Sequence, residues 1–492
     1  MPRQGPSSNT RRTTRPAAQV EAKGDAPAAR RGLPAIDSYE DALANLMARV
    51  DLERQRQASA VKHAYKLDRM RAILAELKNP QDAVRCVHVA GTKGKGSTCE
   101  MTASCLQACG YAVGLYTSPH VVDIRERVRL NRKPITQADF ARLARAVARG
   151  AAAVEGRHGQ ATFFEMMTAM AFVYFAEQAV DVAVVEVGLG GLLDCTNVIT
   201  PEVSAVSLIG YDHTDILGGT LEEIALQKAG IFKPGVPALT IEQPPQALKA
   251  MKEYAQKVGA PLQVVGEDIE FSFRFEFQGN LGPVARVSLT TERSNFEHVP
   301  VPLRGEHQAH NCGLALAVLD KLAERGFSCP EAKVARGLEQ VTLPGRFEVI
   351  PGSPRLLLDV AHNPESIRAL IKAIGAYLQY ESLLVIFGCA ADKDVDGMLR
   401  HLAMGADKVI FTRAEGNARA ANPADLQRRY AEISGKSAQA APSLRAALDL
   451  ARPAVGREDL VCITGSFYLV GEAKRMQAEA AERARAGSSG RR

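Results

Sequence analysis

Apolar residues at helical spacing open the patterned part of the chain. Leu43, Leu46 and Met47, then Leu67, Met70, Leu74 and Leu77, recur at three- and four-residue intervals and predict helix across 37–78. After Asn79-Pro80 the period changes. Short β-branched runs at Cys86–Ala90, Val113–Tyr116, Val182–Val187 and Val203–Ile209 alternate with helical stretches. Uninterrupted apolar runs suit strands covered on both faces of a parallel sheet, and the alternation of β with α implies a wound α/β architecture. Residues 269–303 differ. Phe271, Phe273, Phe275 and Phe277 alternate with polar residues, the period of a half-buried antiparallel strand, so a small β appendage is expected there. The Phe row reads as one sheet face packed on a core rather than as an aromatic binding site. A helix around His307–Leu322 follows, and Leu343-Pro344-Gly345 marks a turn. Beyond it the alternation restarts with Leu356–Val360, Leu383–Phe387, Lys408–Thr412 and Leu460–Thr464. The expected organisation is a basic disordered tail (1–36), a larger α/β domain with a mostly parallel wound sheet and the appendage (37–343), a smaller Rossmann-like α/β domain (344–475) and a second tail (476–492).

A length of 492 residues suits two domains. The formal charge of +6 misleads about partners. Residues 1–36 hold seven basic side chains against two acids, and 476–492 hold four Arg against two Glu. The tails thus carry the whole excess and the body is near neutral, which gives no footprint for nucleic acid. Nine cysteines with no CxxC pair fit a reducing compartment. Cys105 and Cys109 are one helical turn apart, a spacing that brings thiols together, but packing residues are the commoner meaning. No apolar run reaches the ~18 residues of a membrane span. The N-terminal segment, rich in Arg, Ser and Thr, faintly resembles an organelle transit peptide. Its prolines oppose an amphipathic helix, and a disordered tail on a cytoplasmic protein is the expectation.

The densest chemistry lies in His88-Val-Ala-Gly-Thr-Lys-Gly-Lys-Gly-Ser-Thr98. A strand runs into a glycine-rich turn and then a helix. Glycines let backbone wrap a phosphate, and the N–H groups of a helix start bind it. Gly91, Thr92, Gly94, Lys95, Gly96, Ser97 and Thr98 are therefore the nucleotide-binding candidates. Lys95 would reach the outer phosphates, and a Ser97 or Thr98 hydroxyl would face Mg²⁺. The standard P-loop pattern is not met, because Val89 stands at its first Gly and Gly96 separates Lys95 from Ser97.

That departure is itself a signature. GTKGKGST resembles the GTNGKGS loop of folylpolyglutamate and dihydrofolate synthases, members of the Mur ligase superfamily. The resemblance continues in order. Thr117-Ser-Pro-His120 with Glu126-Arg127 is similar to their TSPH segment, Phe164-Glu165 with Thr168 to FE..T, and Glu186–Asn197 to EVGLGGRLDATN. Asp212–Gly218 is similar to DHTDILG, Gln227–Ile231 to EKAGI, and Gly305–Asn311 to G.HQ..N. Pro344-Gly-Arg346 resembles WPGR, Asp359–Pro364 resembles DGAHNP, and Asp392-Lys-Asp394 and Thr464–Tyr468 match DKD and TGS.Y. Together these span residues 38–475.

Glu186 ends an apolar strand, where an acid is either ion-paired or metal-bound, and strand C-termini are where α/β sheets put their sites. Beside the glycine-rich turn a Mg²⁺ ligand is favoured there. His213 is expected to end the next strand, and the resemblance raises it from a hydrogen-bonded loop residue to a second metal ligand. Imidazole is an unusual Mg²⁺ donor, since oxygens suit that ion. Lys228 by default is a solvated helix lysine; the resemblance implies a lysine carbamylated by CO₂ that helps hold a second Mg²⁺, a reaction needing a neutral amine. The resemblance further implies Asn311 at the adenine and Arg346, Asp359 and His362 at nucleotide across a cleft. It puts Ser118, Pro119 and His120 in the substrate loop and Asp194 at the pterin. On its own residues, Asp359 also reads as a turn acid capping the Asn363-Pro364 loop. Gln227 replaces the usual Glu, Leu192 the Arg of GGRLD, and Leu343 the Trp of WPGR.

The implied activity is ATP-dependent ligation of L-glutamate to a dihydropteroate or folate carboxylate through an acyl phosphate, with Lys95, Lys228 and His213 as catalytic residues and two Mg²⁺ ions. A monomer acting on small molecules, without nucleic acid or membrane, is expected. Alternatives are an enzyme making only dihydrofolate or only polyglutamates, another Mur-type amino-acid ligase such as one acting on peptidoglycan precursors, and a silent nucleotide-binding regulator. The last is opposed by the intact Lys95, Glu186, His213 and Lys228.

Overall fold

The computed structural model describes residues 36–50, 67–277, 283–301, 303–417 and 419–489. The expected N-terminal tail up to residue 35, the helical reading of 51–66 and the last three residues lie outside them. Within them the chain is packed from its first residue: Ile36 is buried and its carbonyl accepts from Arg145 Nε at 2.6 Å.

Eight strands form the first sheet: β1 Cys86–Ala90, β2 Val113–Tyr116, β3 Val128–Leu130, β4 Lys133–Pro134, β5 Val182–Glu186, β6 Val203–Val206, β7 Ala238–Ile241 and β8 Leu262–Val265. Their order is β4-β3-β2-β5-β1-β6-β7-β8, parallel from β2 to β8 with an antiparallel edge at β3 and β4. Every residue of β1, β2, β5, β6 and β7 is buried, which is why these runs show no alternation. Helix Phe163–Glu177 covers one face. Its sequence is apolar all round and all but its last two residues are buried. Its one buried acid, Glu165, is paired with Arg69 Nε at 2.9 Å and closes a capping box with Thr162.

The appendage is a three-stranded antiparallel sheet, β9 Glu270–Phe277, β10 Pro283–Thr290 and β11 Asn295–Pro300, in the order β11-β10-β9. Phe271 and Phe273 pack on the core as expected. Phe275 does not: it is 44% exposed and its ring lies 6.5 Å from that of Tyr377 in the second domain. The side chain of Phe277 is outside the described residues. The helix Glu306–Glu324 then leads to the second sheet: β12 Glu348–Ile350, β13 Arg355–Leu358, β14 Leu383–Phe387, β15 Lys408–Phe411, β16 Gln439–Ala440 and β17 Leu460–Thr464. Its order is β12-β13-β17-β14-β15-β16, parallel except at β12. The second tail carries helix Phe467–Ser489 through most of its length. One expectation needs correction. The strand expected at 203–209 stops at Val206. His213 therefore ends no strand; it is the left-handed N-cap (φ 49°) of the short helix Thr214–Leu217.

Helix Lys95–Ala108 is clamped from outside by helix Glu331–Glu339. Ser104 Oγ donates to the Gly337 carbonyl at 2.6 Å, and a Cβ on Gly337 would fall 2.6 Å from Cys105 Cα. Two backbones meet here with no side chain to yield. Gly337→Ala is expected to destabilise the native state by about 1–3 kcal/mol, read as a lowered denaturant midpoint. An unchanged midpoint would show that the two helices are not in this contact.

Candidate active site

The turn after β1 is shaped by what surrounds it. Gly91 sits at φ 145°, and a Cβ there would lie 1.9 Å from Ser207 Oγ; Gly94 sits at φ 95°, and a Cβ there would lie 2.1 Å from Asn311 Oδ1. Only glycine meets both the conformation and the space. The Thr92 and Lys93 amides donate to the Leu208 carbonyl at 2.9 and 3.2 Å, so the turn is strung between the exits of β1 and β6. Gly94 then starts helix Lys95–Ala108, whose first-turn N–H groups form an anion site. A Cβ on Gly96 would stand 3.6 Å from Glu186 Oε2, so that carboxylate faces the first turn. Glu186 pairs in register with Val89 at the sheet's C-terminal edge, is buried, and accepts from the Ser118 amide at 3.0 Å. Ser118, Pro119 and His120 thus sit beside the helix start, with His120 Nδ1 accepting from Arg127 Nε at 3.0 Å.

Two ammonium groups converge on one atom. Lys95 Nζ and Lys228 Nζ donate to the Gly91 carbonyl at 3.0 and 2.9 Å. Lys228 is no solvated helix lysine: it is 4% exposed, on helix Leu221–Ala229. Burial, then the Lys95 charge, lowers its pKa to about 7, against the pull of Asp212 and Asp194.

The second domain faces this from across a cleft of about 1850 Å³. Asp359 follows β13, and its carboxylate accepts from the Phe347 and Ala361 amides at 2.8 Å each; it does not cap the Asn363-Pro364 loop, where the His362 and Asn363 amides donate to Ser366 Oγ. Burial raises the Asp359 pKa, opposed chiefly by Arg346. The Arg346 guanidinium stacks 4.9 Å from the Phe467 ring centre. His362 Nδ1 lies 2.9 Å from the Val360 carbonyl; burial and then Lys393 push its pKa down to about 4. An ion pair between Lys93 and Glu365 joins the two walls.

Thr92, Gly94 to Ser97, Ser118 to His120, Glu186, His213, Asn311, Arg346, Asp359 and His362 all line this cleft. Gly91, Thr98, Lys228 and Asp194 stand behind its surface. Asp194 is 1% exposed, and its carboxylate accepts from the Leu189 and Thr196 amides and from Thr196 Oγ1 within its own turn. Leu343 also lies away from the cleft, packed on the first domain's core. Sequence reasoning passed over Asp212 and Lys393, although both stand inside the motifs it matched. Burial alone would raise Asp212, yet His213, Lys393, His362 and Lys95 hold it below the usual carboxylate range. It also missed Arg304, Phe347 and Tyr377 on the cleft wall, for which no local pattern exists. Among the described residues no group of three or more His, Cys, Asp or Glu side chains could hold a metal ion unaided.

Comparison with known proteins fits this geometry. Residues 89–319 match the Mur ligase middle domain, and 345–467 match the Mur ligase glutamate ligase domain. The chain is 34% identical over 412 residues to the dihydrofolate synthase/folylpolyglutamate synthase of Bacillus subtilis (strain 168), covering 83% of this chain and 94% of that one. It belongs to the dihydrofolate synthase/folylpolyglutamate synthase family. Proteins of this family are ATP-dependent ligases that form an amide between a carboxylate and an amino acid. The folylpolyglutamate synthase of Mycobacterium tuberculosis complexed with ADP superposes with a TM-score of 0.79 at 31% identity, over 90% of this chain and 98% of that one. E. coli FolC in complex with DHPP and ADP gives 0.78 at 29%, over 92% and 100%. The family's wound central sheet and separate C-terminal sheet are those described above.

The shared carbonyl carries a pH signature. Unfolded, Lys228 titrates near 10.4; folded, it titrates at about 7. Between these values the unfolded state holds the extra proton, so stability gains up to about 1.4 kcal/mol per pH unit from this group. Below pH 7 both states are charged and the gradient ends. In CO₂-free buffer, wild type minus Lys228→Met is expected to show this rise in denaturation midpoint from pH 7 to 10. Parallel curves would mean an ordinary lysine.

Proposed function

We propose that this chain uses ATP to join L-glutamate to both dihydropteroate and folates, as a bifunctional dihydrofolate synthase/folylpolyglutamate synthase. The observation that carries the reading is the single cleft that sets the glycine turn and Lys95 on one wall and Arg346, Asp359 and His362 on the other. ATP phosphorylates the pteroate or folate carboxylate, and the glutamate amine attacks the acyl phosphate and releases phosphate. The protein's part is positioning and charge neutralisation. Gly91, Thr92, Gly94, Gly96 and Thr98 shape or line the phosphate turn. Lys95 exchanges the Gly91 carbonyl for the outer phosphates, as its part-buried side chain permits. Asn311, against Gly94, meets the base. Arg346, Asp359 and His362 meet nucleotide from the second domain. Ser118, Pro119 and His120 hold the folate substrate. Asp194, bonded to the Leu189 amide and Thr196 hydroxyl of its own turn, acts by shaping the 189–196 loop.

Mg²⁺ fits this helix start. Such an ion needs one or two carboxylates plus phosphate oxygens, and Glu186 faces the first turn that carries Ser97. Ser97 and Glu186 would hold one ion; His213 and a carbamylated Lys228 would serve a second. Bound there, Mg²⁺ offsets the charge on the transferred phosphoryl group. Carbamylation is favoured by an amine held near neutrality. The proposed enzyme is a cytoplasmic monomer acting on small molecules, without nucleic acid or membrane; the near-neutral charge of the body supports the exclusion of nucleic acid.

The deciding assay is phosphate release from ATP with dihydropteroate and with tetrahydrofolate side by side. Release with both, each dependent on glutamate, is expected. Release with one alone leaves a monofunctional enzyme, and release with neither ends the reading. Lys95→Ala is expected to lose on the order of 10²-fold in turnover; near-normal turnover in a folded variant would sink the phosphate role. Lys228→Ala is expected to be nearly inactive and partly rescued by acetate, whereas Lys228→Arg, which keeps the charge and fills the space, is not rescued. Stripping CO₂ is expected to lower wild-type activity. A fully active Lys228→Ala enzyme would exclude the carbamate.

A further inference from the structure

The nine cysteines divide unevenly. Cys86, Cys99, Cys105, Cys195, Cys312, Cys389 and Cys462 are buried; Cys109 and Cys329 alone are part-exposed. These two are also neighbours, each thiol acting on the other's titration. Cys109 caps the C-terminal end of helix Lys95–Ala108, and Cys329 precedes helix Glu331–Glu339. The segments carrying them are pinned on both sides of the contact. The Ser328 amide donates to Tyr111 Oη at 2.6 Å, and the Tyr111 ring meets Phe327 edge-on at 5.1 Å. On the other side Lys333 Nζ donates to the Cys109 carbonyl at 3.4 Å, and Cys105 Sγ donates to the Val334 carbonyl at 3.5 Å.

We propose that Cys109 and Cys329 form a reversible disulfide site for peroxides, outside the ligase cleft. Neither residue lines that cleft. Lys333 assigns the roles. Its ammonium, held on the Cys109 carbonyl, favours the Cys109 thiolate. Cys109 is thus the attacking sulfur. Its thiolate cleaves the peroxide O–O bond, taking one oxygen as sulfenic acid and releasing alkoxide or hydroxide, which takes up a proton. The Cys329 sulfur then attacks the sulfenyl sulfur, the S–S bond forms, and water leaves with the second proton. Two thiols are oxidised and one peroxide is reduced. A dithiol reverses the step by exchange through a mixed disulfide. Cys105 is no competitor, being buried and engaged with Val334. Nor is this a metal site, since among the described residues no third ligand joins the pair.

The test uses the full chain, reduced, freed of reductant, exposed to equimolar hydrogen peroxide, then denatured and alkylated. Expected are the loss of two alkylatable thiols, a cross-linked peptide pair containing Cys109 and Cys329, and recovery of both thiols with dithiothreitol. In Cys329→Ser the reaction is expected to stop at a sulfenic acid on Cys109 that dimedone captures. Wild-type protein in which both cysteines stay alkylatable, or in which either reaches sulfinic acid without a cross-link, overturns the proposal. So does a cross-link from Cys109 to Cys105.

Discussion

The carbonyl oxygen of Gly91 is the point on which this site turns. Two ammonium groups donate to it, one from helix Lys95–Ala108 and one from a helix that follows much later in the chain. Like charges this close are tolerable only if one proton is held loosely, and burial ensures that it is Lys228 that yields. The arrangement depends in turn on Gly91 itself, because a side chain there would occupy the place of Ser207 Oγ. Backbone conformation, packing and protonation state are therefore one constraint.

A second network holds the same helix from its other side. Glu100, fully buried, is paired with Arg129 at 2.8 Å and Arg132 at 2.5 Å, both on the antiparallel edge of the sheet. Arg129 also reaches Thr117 Oγ1 at 3.3 Å, at the root of the loop that carries Ser118 to His120. Truncating one member of such a group strands the others without water. Helix Lys95–Ala108 and the loop that carries Ser118 to His120 thus share a single foundation of charge.

Much of this was legible in the sequence, for identifiable reasons. Strands such as Val182–Glu186 are buried on both faces and so read as unbroken apolar runs. Motif-bearing turns announced themselves because Gly91 and Gly94 answer to local geometry that few residues satisfy. What local pattern could not supply was depth. Lys228 and Asp194 look like surface residues in a row of letters, and only the packing of distant helices buries them. His213 was misplaced because a β-rich run does not say where hydrogen bonding stops: the ladder ends at Val206 and a loop takes over. Phe275 obeyed the alternation of its strand but faces the second domain, a partner that pairing within the strand cannot reveal. The helix through residues 476–489 escaped because its polar, alanine-rich sequence carries no apolar stripe.

Phe275 has a mechanical meaning as well. Its ring meets Tyr377, and Tyr377 meets Phe347 at 6.2 Å, so the appendage and the second domain touch through aromatic surfaces. Such contacts keep most of their favourable area over a range of angles, whereas the Lys93–Glu365 pair at the cleft is tied to one distance. Of the two bridges between the domains, the aromatic one is therefore the compliant joint: it holds contact without dictating an angle.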